Sequence, residues 1–87
     1  MAIIEEIKSR LMELPKVNQN PGSAQVARFE IHDARLGHSW FPLRFDGQDT
    51  MYCLWIAPLG RCGFRLAEVG EIFRVSSAND LRCYQLN

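Results

Sequence analysis

Lysine is scarce in this chain, long apolar runs are missing, and neither sign of charge prevails: two lysines and eight arginines balance ten acidic residues over 87 positions. A formal net charge of zero removes the long-range attraction on which most nucleic-acid binders depend, so single-stranded nucleic acid ranks behind other partners. No segment approaches the roughly 18 to 20 consecutive apolar residues of a membrane span. The opening residues, Met1-Ala2-Ile3-Ile4-Glu5-Glu6, carry no basic leader and no sustained apolar run, so no secretory signal is read there. Cysteine is sparse and odd in number. Cys53, Cys62 and Cys83 make no disulfide framework, and the expectation is three buried thiols in the reducing cytoplasm.

Signatures of chemistry are missing too. Cys53, Cys62, Cys83, His32 and His38 never fall at the close ligand spacing of structural zinc sites, so no metal is expected. Cys53 and Cys83 lie inside expected strands, and Ser39 points to the opposite strand face from His38, which leaves no nucleophile beside a base. Asp46 and Asp49 bracket a turn, where aspartate serves backbone hydrogen bonding. With no glycine-rich phosphate loop, the expectation is a non-enzymatic protein without catalytic residues or cofactor.

What is present centres on residues 40–57. Trp40-Phe41-Pro42-Leu43-Arg44-Phe45 and Thr50-Met51-Tyr52-Cys53-Leu54-Trp55-Ile56-Ala57 are strand-like, aromatic-rich runs around the turn signal Asp46-Gly47-Gln48-Asp49, and together they predict a β-hairpin. Period-two alternation places Phe41, Leu43 and Phe45 with Tyr52, Leu54 and Ile56 on one face, expected to be the core face. The other face carries Trp40, Pro42 and Arg44 with Met51, Cys53, Trp55 and Ala57, too apolar for open water and in need of a cover. A four-residue loop sets Trp40 directly opposite Trp55. Pro42 implies either a broken ladder on its far side or an edge strand.

Around the hairpin, the chain reads as one domain over 1–87. Ile3, Ile4, Ile7, Leu11 and Leu14 recur at helical spacing, predicting an amphipathic helix over 2–14 that Pro15 ends. A connector with turn chemistry follows at 15–24, and the remainder, 25–87, reads as antiparallel sheet. Gln25 to His32 alternates with Ala27, Phe29 and Ile31 inward, and residues 61–66 alternate with Cys62, Phe64 and Leu66 inward and Arg61 and Arg65 outward. Gly70 followed by Ile72-Phe73-Arg74-Val75 favours a further strand over a short helix, and residues 81–86 close the sheet. The fold class is α+β: an N-terminal amphipathic helix, then a strongly bent or partly closed antiparallel sheet of five to six strands.

The function expected on these grounds is a binding or assembly module, acting as a homodimer through an apolar, aromatic sheet face or the stripe of the first helix. The residues expected to make the contact are Trp40, Trp55, Arg44, His38 and Met51 from the hairpin, with Ile7 and Leu11 from the helix. Arginine in expected strands, at Arg28, Arg44, Arg61, Arg65, Arg74 and Arg82, suits acidic or anionic partners. The alternative is a small-molecule receptor, its aromatic-lined pocket held between helix and sheet and walled by Trp40, Trp55, Tyr52 or Phe64. Single-stranded nucleic acid, stacked on aromatics, comes third.

Overall fold

The computed structural model describes residues 2–16 and 26–86. The expected connector, apart from Pro15 and Lys16, lies outside the described residues. The N-terminal helix α1 spans Ala2–Leu11, three residues short of the periodicity. Its last turn tightens, with the amides of Glu13 and Leu14 bonding to the carbonyls of Arg10 and Leu11 three residues back, because Pro15 disfavours helical geometry at Leu14. Five strands follow: β1 (Phe29–Asp33), β2 (His38–Phe45), β3 (Thr50–Ile56), β4 (Cys62–Glu68) and β5 (Leu81–Gln85), with a second helix, α2 (Val69–Val75), between the last two. They form one antiparallel sheet in the order β4-β3-β2-β1-β5. β4 and β5 end that sheet without pairing to each other, so among the described residues it is open rather than partly closed.

The hairpin forms with Trp40 opposite Trp55, but its faces are the reverse of those expected. Pro42 pairs with Cys53 while Arg44 pairs with Tyr52, so Leu43 is an extra residue in β2. A bulge of this kind inverts the alternation beyond it. Phe45 thereby joins Trp40 and Pro42 on the face that carries Met51 and Cys53, and Arg44 moves off it. The exchange makes this the more apolar face, and it is the one buried: Met51 and Cys53 have no exposed surface. Phe41, Tyr52, Leu54 and Ile56 form the other, outer face. Pro42 accompanies a broken ladder rather than an edge, since β1 pairs with β2 only as far as Trp40 and the Phe45 amide turns to the Pro15 carbonyl at 2.9 Å.

The cover that the tryptophan face required comes from the chain itself. Ile7 and Leu11 from α1 and Leu14 just beyond it, with Val69 and Ile72 from α2, close over Phe29, Ile31, Trp40, Phe45, Met51, Cys53 and Leu81. The strand expected over 72–75 is therefore helix. Gly70 and β-branched residues favour strand locally, but Val69, Ile72 and Phe73 are spaced to lie on one helical face against the core. Glu68, at the N-cap, supplies no side-chain bond; instead the Asp49 carbonyl accepts from the Val69 amide at 2.7 Å and Asp49 Oδ1 accepts from the Gly70 amide at 2.8 Å. A residue in the hairpin turn thus caps α2.

Candidate functional site

Three surfaces are worth assembling from their residues. The first is a cleft of about 340 Å³ on the helix side, between the hairpin, β4 and α2, lined by His38, Trp40, Trp55, Arg65, Glu68, Glu71 and Ile72. Cross-strand pairing sets the two indoles side by side, and the His38 ring stands edge-on to both, 6.0 Å from Trp40 and 5.8 Å from Trp55. Trp55 faces Gly63 in β4, so Arg61 and Arg65, two residues either side, are its diagonal neighbours. Both guanidinium groups lie over its ring, Arg61 at 5.6 Å and Arg65 at 4.8 Å. At the far wall Glu71 is ion-paired with Arg74.

The second is the outer face. Cys62, Phe64 and Leu66 pair with Ile56, Leu54 and Tyr52, and the set expected to point inward points out: Phe64 is 63% exposed, Leu66 61% and Ile56 38%. Tyr52 stacks on Phe64 with ring centroids 6.0 Å apart and planes 15° from parallel. Cys62 is exposed too, which corrects the expectation of three buried thiols; Cys53 is buried and Cys83 half-buried. Burial pushes the Cys53 thiol up to about 11 and raises Cys83 as well, so neither carries thiolate near neutrality.

The third is a polar cluster on the outer face of β1 and β2. Ser39 lies opposite His32, and its hydroxyl donates to Glu30 Oε2 at 2.7 Å while contacting His32 Nδ1 at 2.8 Å. The serine proton is directed at the carboxylate, so the imidazole is not placed to withdraw it, and the cluster is a hydrogen-bonded surface rather than a nucleophile with its base. Alternation alone places Glu30 and His32 on one face. Ser39 joins them only through the β1–β2 register, which sequence reasoning did not supply.

Of the residues singled out in advance, Trp40, Trp55 and His38 come together in the cleft. Met51 lies in the core beside them, fully buried. Ile7 and Leu11 are also fully buried, their stripe spent on the chain's own sheet, so the first helix offers no apolar stripe to a partner in this arrangement. Arg44, carried by the bulge to the opposite face, is buried and donates to the Lys16 carbonyl at 3.1 Å. Tyr52 and Phe64 line no part of the cleft. Asp46 holds the hairpin turn, as expected: its Oδ1 accepts from the amides of Gln48, Asp49 and Thr50, and those bonds, Gln48 foremost, lower its carboxyl below the ordinary range, whereas the Asp49 carboxylate reaches the Gly70 amide instead.

Asp33 is a residue the sequence did not mark. Its carboxylate, with no exposed surface, accepts from the Arg35 and Leu36 amides and from the Ser76 hydroxyl at the end of α2. The signal was an aspartate four residues before Gly37, which adopts φ +75° in the turn that follows β1. Among the described residues no cluster of three or more metal-binding side chains occurs, and no helix is long and apolar enough to cross a membrane. No protein-family model, curated protein or solved structure matches this chain.

Proposed function

We propose that this chain is a non-enzymatic binding module that acts as a homodimer, its contact made by the outer face of the sheet. One observation carries the reading: Phe64, Leu66 and Ile56 are adjacent on two paired strands, on one face, and exposed. Isolated exposed apolar residues are ordinary, but a contiguous group of large ones on one sheet face is the composition of an interface core. Two copies packed face to face would each cover the other's patch, with Tyr52 and Phe64 as the aromatic centre. Neutral net charge presents no long-range obstacle to association. Light scattering after size exclusion tests this. A dimer that F64E and L66E convert to monomers with unchanged circular dichroism supports it, and a wild-type monomer at high micromolar concentration removes it.

A second reading, a small-molecule receptor, is favoured by the cleft beside Trp40 and Trp55. Its volume of about 340 Å³ falls within the range that small ligands occupy. Its paired indoles suit a flat molecule, with Arg65 to take a carboxylate and Glu68 in the same lining to take a cationic group. Titration with a panel of aromatic carboxylates, followed by tryptophan fluorescence, tests it. Saturable quenching lost in W55F and unaccompanied by a change in oligomeric state supports a ligand in the cleft, and an unquenched signal across the panel opposes it.

A further inference from the structure

The free edge of β4 has a consequence separate from the outer-face contact. The Ala57 amide bonds to the Arg61 carbonyl at 2.7 Å, and the Val69 amide to the Asp49 carbonyl at 2.7 Å, so the bonded pairs of the β3–β4 ladder fall on odd-numbered residues. The register of this ladder is uninterrupted from Thr50–Glu68 to Ile56–Cys62, so that parity holds along its length. Gly63, Arg65 and Ala67 therefore direct their amides and carbonyls to β3, and Cys62, Phe64 and Leu66 direct theirs away from the sheet. β4 is a terminal strand, and it contains no proline, lysine or bulge of the kind that usually blunts an edge.

We propose that this edge accepts an extended peptide of alternating acidic and apolar residues as a sixth strand. Added strands gain their affinity from main-chain bonds and their selectivity from the side chains on each face. Here the two faces differ sharply. On the outer side, Phe64 and Leu66 present apolar surface. On the helix side, Arg61 and Arg65 are held over Trp55, and neither is ion-paired among the described residues. A strand laid along Cys62–Leu66 with apolar side chains outward brings its alternate residues against those arginines. Carboxylates there complete bidentate pairs, whereas ammonium groups meet two fixed cations.

The same charges argue against a second copy on this edge. In an antiparallel two-fold pairing that keeps the apolar faces together, Arg65 comes opposite Arg61 of the second copy when the axis passes Gly63, opposite its own mate when it passes Arg65, and one diagonal step from that mate when it passes Phe64 or Leu66, and like charges at those positions repel. The arginines thus discourage self-pairing and admit an acidic strand.

Fluorescence polarisation with an acetylated, amidated heptapeptide of alternating Glu and Val tests the proposal, beside its Lys and Val counterpart and two forms N-methylated on alternate residues. The acidic peptide is expected to bind about tenfold or more tightly than the basic one, a preference that R61E/R65E reverses and that added salt reduces. Only one N-methylated form should lose binding, because one set of amides faces β4. L66P should weaken binding while the sheet persists, since the amide it removes points outward. Equal binding of the two peptides, equal binding of the two N-methylated forms, or no binding of the acidic peptide at about 1 mM would overturn the proposal. So would a dimer that L66P dissociates but F64E leaves intact, with the acidic peptide failing to bind, an outcome assigning the edge to a second copy. F64E in the light-scattering experiment tests the outer-face dimer independently, so the two readings fail on different results.

Discussion

Removing the Asp33 carboxylate should be among the most damaging single changes on the polar side of this fold. Its two oxygens join the turn after β1 to the C-terminal end of α2, and the whole group is closed from solvent. D33A leaves the buried Ser76 hydroxyl without an acceptor, about 2 kcal/mol for a buried bond to a charged group. The amides of Arg35 and Leu36 lie in an exposed turn where water can replace the carboxylate, so each loses only about 0.5 to 1 kcal/mol. The sum is roughly 3 to 4 kcal/mol, against a total stability of about 4 to 13 kcal/mol for a chain of this length. D33N keeps one oxygen for the turn amides and turns a donor toward Ser76, whose hydroxyl can rotate to accept it, so it should cost only about 1 to 2 kcal/mol.

The pH dependence separates charge from shape. Burial pushes the Asp33 carboxyl upward, but the Ser76 hydroxyl, the Leu36 and Arg35 amides and the Arg35 charge outweigh it, and the group titrates below its ordinary value of 3.8. A lowered native value contributes stability that is fully present above the ordinary one and is lost as pH falls through the native one. Urea denaturation of wild type, D33A and D33N from neutral pH to strong acid measures it. The gap between wild type and D33N should close in acid, while D33A stays the least stable throughout. A D33A loss below about 1 kcal/mol, or a wild-type to D33N gap independent of pH, would contradict a charged Asp33 bonded to Ser76 in the folded chain.

Three further outcomes are expected. D49A should destabilise by about 1 kcal/mol in urea denaturation through the lost cap on α2. G70A should also be unfavourable in wild type, since its Cβ would lie 3.1 Å from Asp49 Oδ1, yet become stabilising in the D49A background. Leu59, 98% exposed and held at φ +66°, pays for a left-handed conformation, so L59N should raise stability by roughly 0.5 to 1 kcal/mol in thermal unfolding. Thiol labelling of the native protein near neutral pH should modify Cys62 first and leave Cys53 unmodified until the chain unfolds. Because Cys53 ionises near its ordinary 9.0 when unfolded and near 11 when folded, its contribution to stability should fall as pH rises between those values.

Where local chemistry sufficed, the sequence was readable: the stripe of α1, the alternation of β1, the hairpin and its tryptophan pair, and the aspartate-held turn. α2 was not readable, because its N-terminus is capped by Asp49, twenty residues upstream and across a strand pair, while its own residues lean toward strand. Nor was Asp33, whose third partner, Ser76, lies forty-three positions away. The largest consequence came from the single extra residue at Leu43. Without a bulge, Arg44 would point into the helix-covered face and Phe45 out of it. That geometry would take the guanidinium from the Lys16 carbonyl and set it among the apolar side chains of the helices, at a cost of several kcal/mol. The bulge exchanges the two, sends the tryptophans inward, and leaves the apolar residues of β3 and β4 on the surface. The exposed apolar face is therefore the one opposite the tryptophans, and Arg44, although buried, lies on the side where the Lys16 carbonyl accepts its bond.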